Sequence, residues 1–256
     1  MQITKILSIL IISSLFLVSC SNDDDNAVNQ SGNTDNLQSL GTSANDLLSD
    51  SSFKGLTVEI VSVEGFEPTP TAVGIFRNFL EERVFKPDGI TINQRSIPSS
   101  GLAPFNIEEI RRIETTARTQ FNEGDEITIY IYFADGSNED DGDNRFTLGT
   151  AYLNTSVVIY EQTLRNLGSS PRAPMLSTIE AATLNHEFAH LIGLVNLGTP
   201  LQSEHEDEES SGHCNVQGCL MEAAIEFETG MMGMLGDGVP ALDPLCIADL
   251  QANGGR

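Results

Sequence analysis

The stretch His186-Glu187-Phe188-Ala189-His190 constrains this chain more than any other feature. It lies within an apolar helical pattern, and four residues make about one helical turn, so both imidazoles project from one face. Two neutral imidazoles at that spacing can hold one Zn²⁺, and the glutamate between them can reach a water on the metal. The chain contains only 4 His in 256 residues, so a chance pairing here is rare. We predict metal ligands at His186 and His190 and a general base at Glu187.

The helix that carries this motif is predicted to begin at a capping box, Ser177-Thr178-Ile179-Glu180. Apolar residues recur at helical spacing along one face, and the two histidines lie off that face. Gly193 can leave the helix in a left-handed conformation. We therefore expect the core to fix the helix while the imidazoles face a separate site. The apolar positions are Leu184, Phe188, Leu191 and Val195.

The first 50 residues read as a processing signal followed by a tether. Residues 6–18 form an apolar run that is too short to span a membrane, and Leu17-Val18-Ser19-Cys20 resembles a bacterial lipobox, in which Cys20 is lipidated. An ordinary signal peptide ending near Ser19 is the alternative. Ser, Asn, Asp and Gly then dominate without apolar periodicity. We predict a lipoprotein signal at 1–19, a disordered tether at 20–50 and one domain at 51–256.

Charge limits the partners of the chain. The Ser-Asn-Asp-Asp-Asp run after Cys20 resembles the acidic export signal of surface lipoproteins in Bacteroidetes-type bacteria, with plain solvation of a linker as the alternative. We expect an outer-membrane lipoprotein exposed at the cell surface, or alternatively on the periplasmic face. The formal net charge of −24 argues against nucleic acid, whose phosphates require Lys and Arg. We expect a monomer that contacts the membrane through its lipid anchor only.

Strands and helices alternate through the first part of the domain. Residues 56–63 and 127–133 are apolar and β-branched, which is typical of strands. Residues 71–84 carry apolar side chains at helical spacing, and Asn106 with Glu109 predicts the capped start of another helix. This alternation predicts an α/β fold with a largely parallel sheet. Further strands are predicted at 90–95, 146–152 and 155–160, with Asn154 in the turn between the last two.

An acidic loop at 135–144 follows the clearest strand. Its Asp and Asn oxygens are suitable ligands for Ca²⁺, but it lacks the spacing of an EF-hand and a clear bidentate Glu. A solvated loop is therefore the preferred interpretation, and a calcium site is the alternative.

The motif extends to Gly193 and Asn196, and in this longer form it resembles the metzincin pattern His-Glu-x-x-His-x-x-Gly-x-x-His. Asn196 stands where the third His is expected, and an amide oxygen binds zinc weakly. The later segment His213-Cys214-Asn-Val-Gln-Gly-Cys219-Leu-Met221 is similar in spacing to the third His, Cys and Met-turn of archaemetzincins. The resemblance covers the chain from residue 177 onward.

The resemblance implies that residues 197–212 are an insertion before the third ligand. His213 would then complete a three-His site and Met221 would be the Met-turn residue. His205 lies inside the insertion and is the alternative third ligand. The neighbouring acidic run 204–209 would be a lid over the cleft or simply a solvated loop.

The resemblance also implies a fold and a place for substrate. The fold is α/β (α+β) and zincin-like: a mixed, mostly parallel twisted sheet with an antiparallel edge strand, packed on the active-site helix, with a small irregular C-terminal subdomain. A peptide substrate would lie antiparallel beside the edge strand. The residues expected there are Leu148, Gly149, Thr150 and Ala151.

Archaemetzincins carry a second zinc held by four Cys. Cys214 and Cys219 match two of these, whereas Asp243-Pro-Leu-Cys246 replaces the later Cys-x-x-Cys. A Cys₃Asp zinc site is chemically sound because an Asp oxygen is an acceptable ligand. A disulfide is the alternative, since a location outside the cytoplasm permits one.

Taken with this resemblance, the motif predicts a zinc metallopeptidase, either an endopeptidase or an aminopeptidase, in which Glu187 is the base. The alternative is an inactive zinc-fold surface lipoprotein that binds peptides, glycans or partner proteins. A purely structural lipoprotein with two ordinary helix histidines is the third hypothesis. The presence of Glu187 argues against the inactive binding protein, which requires no base at that position, whereas Asn196 at the third-ligand position and the inserted acidic loop favour it.

Overall fold

The computed structural model describes residues 34–142, 145–169, 173–225 and 238–256. The predicted lipobox with Cys20 and the signal at 1–19 lie outside these residues. Within these ranges, eleven helices and strands and one short 3₁₀ turn follow in this order: α1 (Ala44–Leu48), β1 (Gly55–Val63), α2 (Pro70–Arg83), β2 (Gly89–Ile97), α3 (Ile107–Ala117), β3 (Glu126–Phe133), β4 (Gly149–Leu153), β5 (Ser156–Ile159), α4 (Glu161–Gly168), α5 (Leu176–Leu191), the 3₁₀ turn (Ala223–Ile225) and α6 (Pro244–Ala252).

The strands form one five-stranded sheet in the order β2-β1-β3-β5-β4. All neighbours are parallel except β4, which pairs antiparallel with β5 through a turn at Asn154 and Thr155. The α/β class, the mostly parallel sheet and the antiparallel edge strand are therefore confirmed. The edge strand begins at Gly149, three residues later than the predicted start, and the preceding Leu148 is fully buried in the core.

Two hydrophobic layers cover the two faces of the sheet. The alternating side chains Ile127, Ile129, Ile131 and Phe133 of β3 face the larger layer, which includes α2 and the motif helix α5. Tyr130 and Tyr132 face the other layer, which α3 covers. The predicted capping box of α3 is confirmed, since Asn106 and Glu109 exchange their side-chain and backbone hydrogen bonds. The motif helix thus packs against both the sheet and α2.

The prediction of a disordered tether at 20–50 is wrong for residues 36–50. Asn36 is fully buried, and Leu47 and Leu48 of α1 are fully buried in the larger core layer. Sequence reasoning read the polar composition of this stretch and overlooked the helical spacing of Leu40, Ala44, Leu47 and Leu48. The folded domain therefore includes residues 36–50.

The capping box predicted at Ser177 is not formed. Helix α5 begins at Leu176 and its N-cap residue, Met175, makes no side-chain cap. Glu180 is fully buried and accepts hydrogen bonds instead from the backbone amide of Thr69, at 3.0 Å, and from its hydroxyl. Because Thr69 is the N-cap residue of α2, Glu180 ties the starts of two helices together. Every residue of α5 from Ile179 to Leu191 is buried, which the single predicted apolar stripe did not anticipate.

Along the described ranges, no helix combines the length and apolarity needed to cross a membrane.

Candidate metal centre

Three buried imidazoles converge beside the edge strand. His186 and His190 project from one face of α5, and their Nε2 atoms lie 3.1 Å apart. His213 returns to them after the loop 197–212, with its ring centroid 5.3 Å from that of His186 and 5.1 Å from that of His190. One ligand atom from each residue lies within 4.8 Å of the other two, so the group can hold a metal ion.

Neighbouring groups orient two of these rings. The Nδ1 of His186 lies 2.7 Å from the carbonyl oxygen of Leu220, which can only accept, so Nδ1 carries the proton and Nε2 is left as a lone-pair donor. The Nδ1 of His213 lies 3.1 Å from the hydroxyl of Ser210. Burial, followed by the nearby His186 and His213 rings, lowers the pKa of His190 well below its usual range. His190 is therefore poised as neutral imidazole, the form that binds metals.

Glu187 lies against the edge strand. Its Oε2 accepts a hydrogen bond of 2.8 Å from the backbone N–H of Ala151 in β4. A Cβ at Gly149 would lie 2.7 Å from its Cγ and 2.8 Å from its Oε1, which is closer than real Cβ contacts. Glycine at 149 therefore leaves the space in which the carboxylate sits, and Ala151 fixes its orientation.

A groove opens where these groups meet. It has a volume of about 320 Å³. Its walls come from the edge strand, the motif helix, the loop 197–212 with the following His213, and the separate residues Leu40 and Arg145. The lining residues are Leu40, Arg145, Thr150, Ala151, Glu187, His190, Leu197, Ser210, Ser211 and His213. The predicted base and two of the three imidazoles therefore face one accessible space.

The loop 197–212 is an ordered part of this site. The chain leaves α5 through left-handed conformations at Gly193, Val195 and Asn196, with φ of 73°, 53° and 66°. The carboxylate of Glu206 then accepts hydrogen bonds from the Gly212 amide, the Ser211 hydroxyl and the Asn196 side chain, which lower its pKa. These bonds fold the acidic loop back on itself and bring His213 to the other two imidazoles.

The alternative assignment of His205 as the third metal ligand is wrong. The structure places its Nε2 3.2 Å from Asp249 Oδ2 and 3.6 Å from Cys246 Sγ, and its Nδ1 2.9 Å from the carbonyl oxygen of Ser203. His205 therefore lies beside the cysteines and not among the three converging imidazoles. The hydrogen bond between the Asn215 amide and the His205 carbonyl, 2.9 Å long, helps to hold it there.

Cys214, Cys219, Asp243 and Cys246 form a second buried group of convergent ligands. The three cysteines are free thiols, with Cys219 and Cys246 sulfurs 3.8 Å apart and Cys214 Sγ 3.3 Å from Asp243 Oδ2. Hydrogen bonds from the other two thiols lower the pKa of Cys214 to about 5. The three sulfurs and the Asp243 carboxylate are grouped as predicted. The alternative, a disulfide, is not formed in this structure.

Met221 is fully buried directly after Leu220, whose carbonyl contacts His186. Its own carbonyl accepts a hydrogen bond of 2.7 Å from the Cys214 amide. The acidic loop at 135–144 is partly outside the described residues. Within those residues, its acidic side chains join neither of the two groups of convergent ligands.

Sequence reasoning missed several contributors to the site. Ser210 and the Leu220 carbonyl orient imidazoles, and Leu40 and Leu197 line the groove. A backbone carbonyl leaves no signal in the sequence. Leu40 did leave one, because it belongs to the helically spaced apolar set that continues into α1.

Comparison with solved structures gives the fold a precedent. Archaemetzincin from Methanopyrus kandleri is similar over 78% of this chain and 96% of that chain, with 18% sequence identity and a TM-score of 0.51. Metalloproteinase-II from Bacteroides fragilis is similar over 79% of this chain with 13% identity and a TM-score of 0.43, and this chain spans only 54% of it. No protein-family model and no curated protein matches the sequence. The chain has an archaemetzincin-like fold.

Proposed function

We propose that this protein is a zinc-dependent metallopeptidase. The observation that carries the proposal is the convergence of three buried imidazoles next to the Glu187 carboxylate, at a groove bordered by an edge strand. Three protein ligands with an open position are typical of catalytic zinc, whereas structural zinc is enclosed by four. The similar fold of archaemetzincin supports the same interpretation.

The imidazoles fit a zinc ion. Two nitrogens bound tetrahedrally at the usual zinc distance are about 3.3 Å apart, and the Nε2 atoms of His186 and His190 are 3.1 Å apart. A hydrogen bond from Nδ1 to a backbone carbonyl, as at His186, is the usual support of a zinc-binding histidine. We therefore assign His186, His190 and His213 as the ligands.

Zinc in this position supplies Lewis acidity, which polarises a carbonyl and lowers the pKa of water. Glu187 is the residue of this chain that accepts the proton from the attacking water and returns it to the leaving amine. The Ala151 amide holds the carboxylate toward the groove through Oε2. The outer edge of β4, which pairs with no strand among the described residues, can align a peptide by main-chain hydrogen bonds, antiparallel to residues 149–151.

The buried thiols fit a second zinc. Two thiolates bound tetrahedrally to zinc are about 3.8 Å apart, and this is the separation of Cys219 and Cys246. A disulfide requires sulfurs about 2.05 Å apart. We infer a structural Cys₃Asp zinc site at Cys214, Cys219, Asp243 and Cys246.

The test is digestion of a peptide library by the purified protein, with and without a zinc chelator. We expect cleavage that the chelator abolishes and added Zn²⁺ restores. The Glu187→Gln variant should retain zinc and lose cleavage, which separates an enzyme from an inactive zinc-fold binding protein. Cleavage that persists in the chelator-treated protein would contradict the proposal.

We also propose, from the sequence alone, that the protein is a lipoprotein of the outer membrane and faces the cell surface. Labelled palmitate should be incorporated into the wild type and not into the Cys20→Ala variant. Protease treatment of intact cells should remove the wild-type domain; a domain that stays protected places it on the periplasmic face.

A further inference from the structure

The N-terminal strap, defined here as residues 35–43, is fastened to the sheet. The side-chain amide of Asn36 donates to Asn122 Oδ1 at 2.7 Å and to the carbonyl of Thr128 at 2.9 Å. The Asn36 carbonyl accepts a bond of 2.8 Å from the hydroxyl of Thr155. Asn36 is fully buried, so these bonds are shielded from water.

The strap crosses the C-terminal end of the edge strand. Asn154, in the turn after β4, exchanges two hydrogen bonds with Gln38: the Gln38 amide donates to Asn154 Oδ1 at 2.9 Å, and the Asn154 amide donates to the Gln38 carbonyl at 3.1 Å. The Asn154 side-chain amide also donates to the Ser43 hydroxyl at 2.8 Å and the Asp35 carbonyl at 2.7 Å. One end of β4 is therefore covered.

The strap then reaches the chain that leaves the motif helix. A Cβ at Gly41, where φ is 80°, would lie 1.4 Å from the Leu197 carbonyl oxygen, and one at Gly198 would lie 2.4 Å from the Gly41 carbonyl oxygen. The two backbones are thus in direct contact. Between these anchor points, half-buried Leu40 lines the groove together with Leu197.

We propose that the strap closes the end of the groove that receives substrate residues N-terminal to the scissile bond, and that Leu40 is a specificity-determining residue there. This inference rests on the proposed peptidase function. A peptide antiparallel to β4 has its N-terminal end toward Leu153 and the strap. Leu153 lies two residues beyond Ala151, which contacts Glu187, and the pairing with β5 shifts register between them, so this stretch spans at most about 7 Å.

The space before the strap therefore holds about two substrate residues. Leu40 and Leu197 give that space an apolar wall, which favours an apolar side chain on the substrate. The strap is a fixed wall and not a lid, because it continues directly into α1, whose Leu47 and Leu48 are fully buried. The expected substrate is a peptide with one or two residues, preferably apolar, before the bond that is cleaved.

The test uses peptide hydroxamates, whose terminal group chelates zinc and so fixes the register of the peptide. Alanyl-leucyl hydroxamate and tetra-alanyl-leucyl hydroxamate carry two and five residues on the side of the strap. A third probe, a succinyl hydroxamate coupled to a tetrapeptide, extends toward Gly149. Binding to the zinc-loaded full chain is measured by calorimetry for the wild type, Leu40→Ala and Leu40→Phe.

For the wild type we expect the five-residue probe to bind at least about tenfold more weakly than the two-residue probe. The difference should shrink in Leu40→Ala and grow in Leu40→Phe, while binding of the succinyl probe stays constant. Leu37→Ala is the matched control: Leu37 belongs to the strap, is 47% exposed and lies outside the groove, so its variant should bind like the wild type.

Equal binding of the two-residue and five-residue probes to the wild type would overturn the inference and leave the proposed peptidase function intact. If the affinities of the two-residue and five-residue probes differ as much in Leu40→Ala and Leu40→Phe as in the wild type, Leu40 does not determine specificity. If none of the three probes binds to zinc-loaded protein, the inference falls together with the proposed function. Zinc content and thermal unfolding of each variant show whether it is folded.

Discussion

The three-imidazole group and the Cys₃Asp group both gather buried donors within metal-binding distance, but among the described residues the first lines a groove and the second does not. His190 and His213 line that groove beside Glu187. Cys214, Cys219 and Cys246 are at most 1% exposed, and none of them lines that groove. Access of water and substrate, rather than the convergence of ligands, therefore separates a catalytic zinc site from a structural one.

The two groups are also joined in the chain. His213 belongs to one and Cys214 to the other, and the carbonyl of Leu220, next to Cys219, contacts His186. The segment 213–221 is shared by the Cys₃Asp group, called here the closed group, and the three-imidazole group, called here the open group. The closed group therefore positions a ligand and an orienting carbonyl of the open group. We therefore expect that removing a ligand of the closed group also weakens zinc binding at the open group. Removing a ligand of the open group should leave zinc binding at the closed group unchanged.

The largest effect is expected from Glu187→Gln, which removes the base and keeps the shape of the side chain. General-base catalysis contributes about 10²- to 10⁴-fold, so kcat should fall by that factor. Zinc content should remain at the wild-type value, because Glu187 is not among the converging ligands. Steady-state kinetics with parallel metal analysis measures both, and wild-type turnover by the variant would show that the base lies elsewhere.

Cys219→Ala tests the direction of the coupling. We expect loss of the structural zinc, a fall of several kcal/mol in the free energy of unfolding and a lower affinity for the catalytic zinc. His186→Ala should lose only the catalytic zinc and keep most of the stability. Exposed Gln217 lies in the same segment, and Gln217→Ala is the matched control. Equal stability losses for Cys219→Ala and His186→Ala would contradict the asymmetry.

Gly149→Ala tests how the open site holds its base. The added methyl would overlap the Glu187 carboxylate, and a displaced base should lower kcat by about 10²-fold while zinc remains bound. Gly74→Ala is the control, because a Cβ at Gly74 meets nothing within 4 Å. If Gly149→Ala retains wild-type kcat, the glycine does not shape the site.

The smallest effect concerns the rate of metal removal. A chelator should extract the zinc of the open group first, because its fourth position is accessible through the groove. The enclosed Cys₃Asp group should release zinc more slowly, at a rate close to that of unfolding. Stopped-flow chelation with a colorimetric dye should show two phases of equal amplitude; a single phase would indicate that access does not differ.

Much of the fold was predictable from local patterns. The alternating run in β3 and the capping box at Asn106 identified their elements, because burial on one sheet face and satisfaction of helix amides are local demands. Glu180 misled the prediction for α5, because its carboxylate found a better donor on Thr69, which is distant in sequence. Competition between local and distant partners cannot be read from spacing alone.

The site was predictable where a motif repeats on one helix turn, as for His186 and His190. The resemblance to archaemetzincins supplied the choice of His213 over His205, and the structure brings His213 to the other imidazoles. The role of Leu40 depends on the Gln38–Asn154 contact and on the close approach of Gly41 to Leu197. Such long-range contacts follow from the assembled fold and not from composition.

Anomalous diffraction at the zinc absorption edge tests the central claim most directly. We expect two peaks in crystals of the zinc-loaded protein: one about 2.1 Å from the Nε2 atoms of His186, His190 and His213, and one about 2.3 Å from the three sulfurs. A peak beside His205 with none among the three imidazoles would contradict the account.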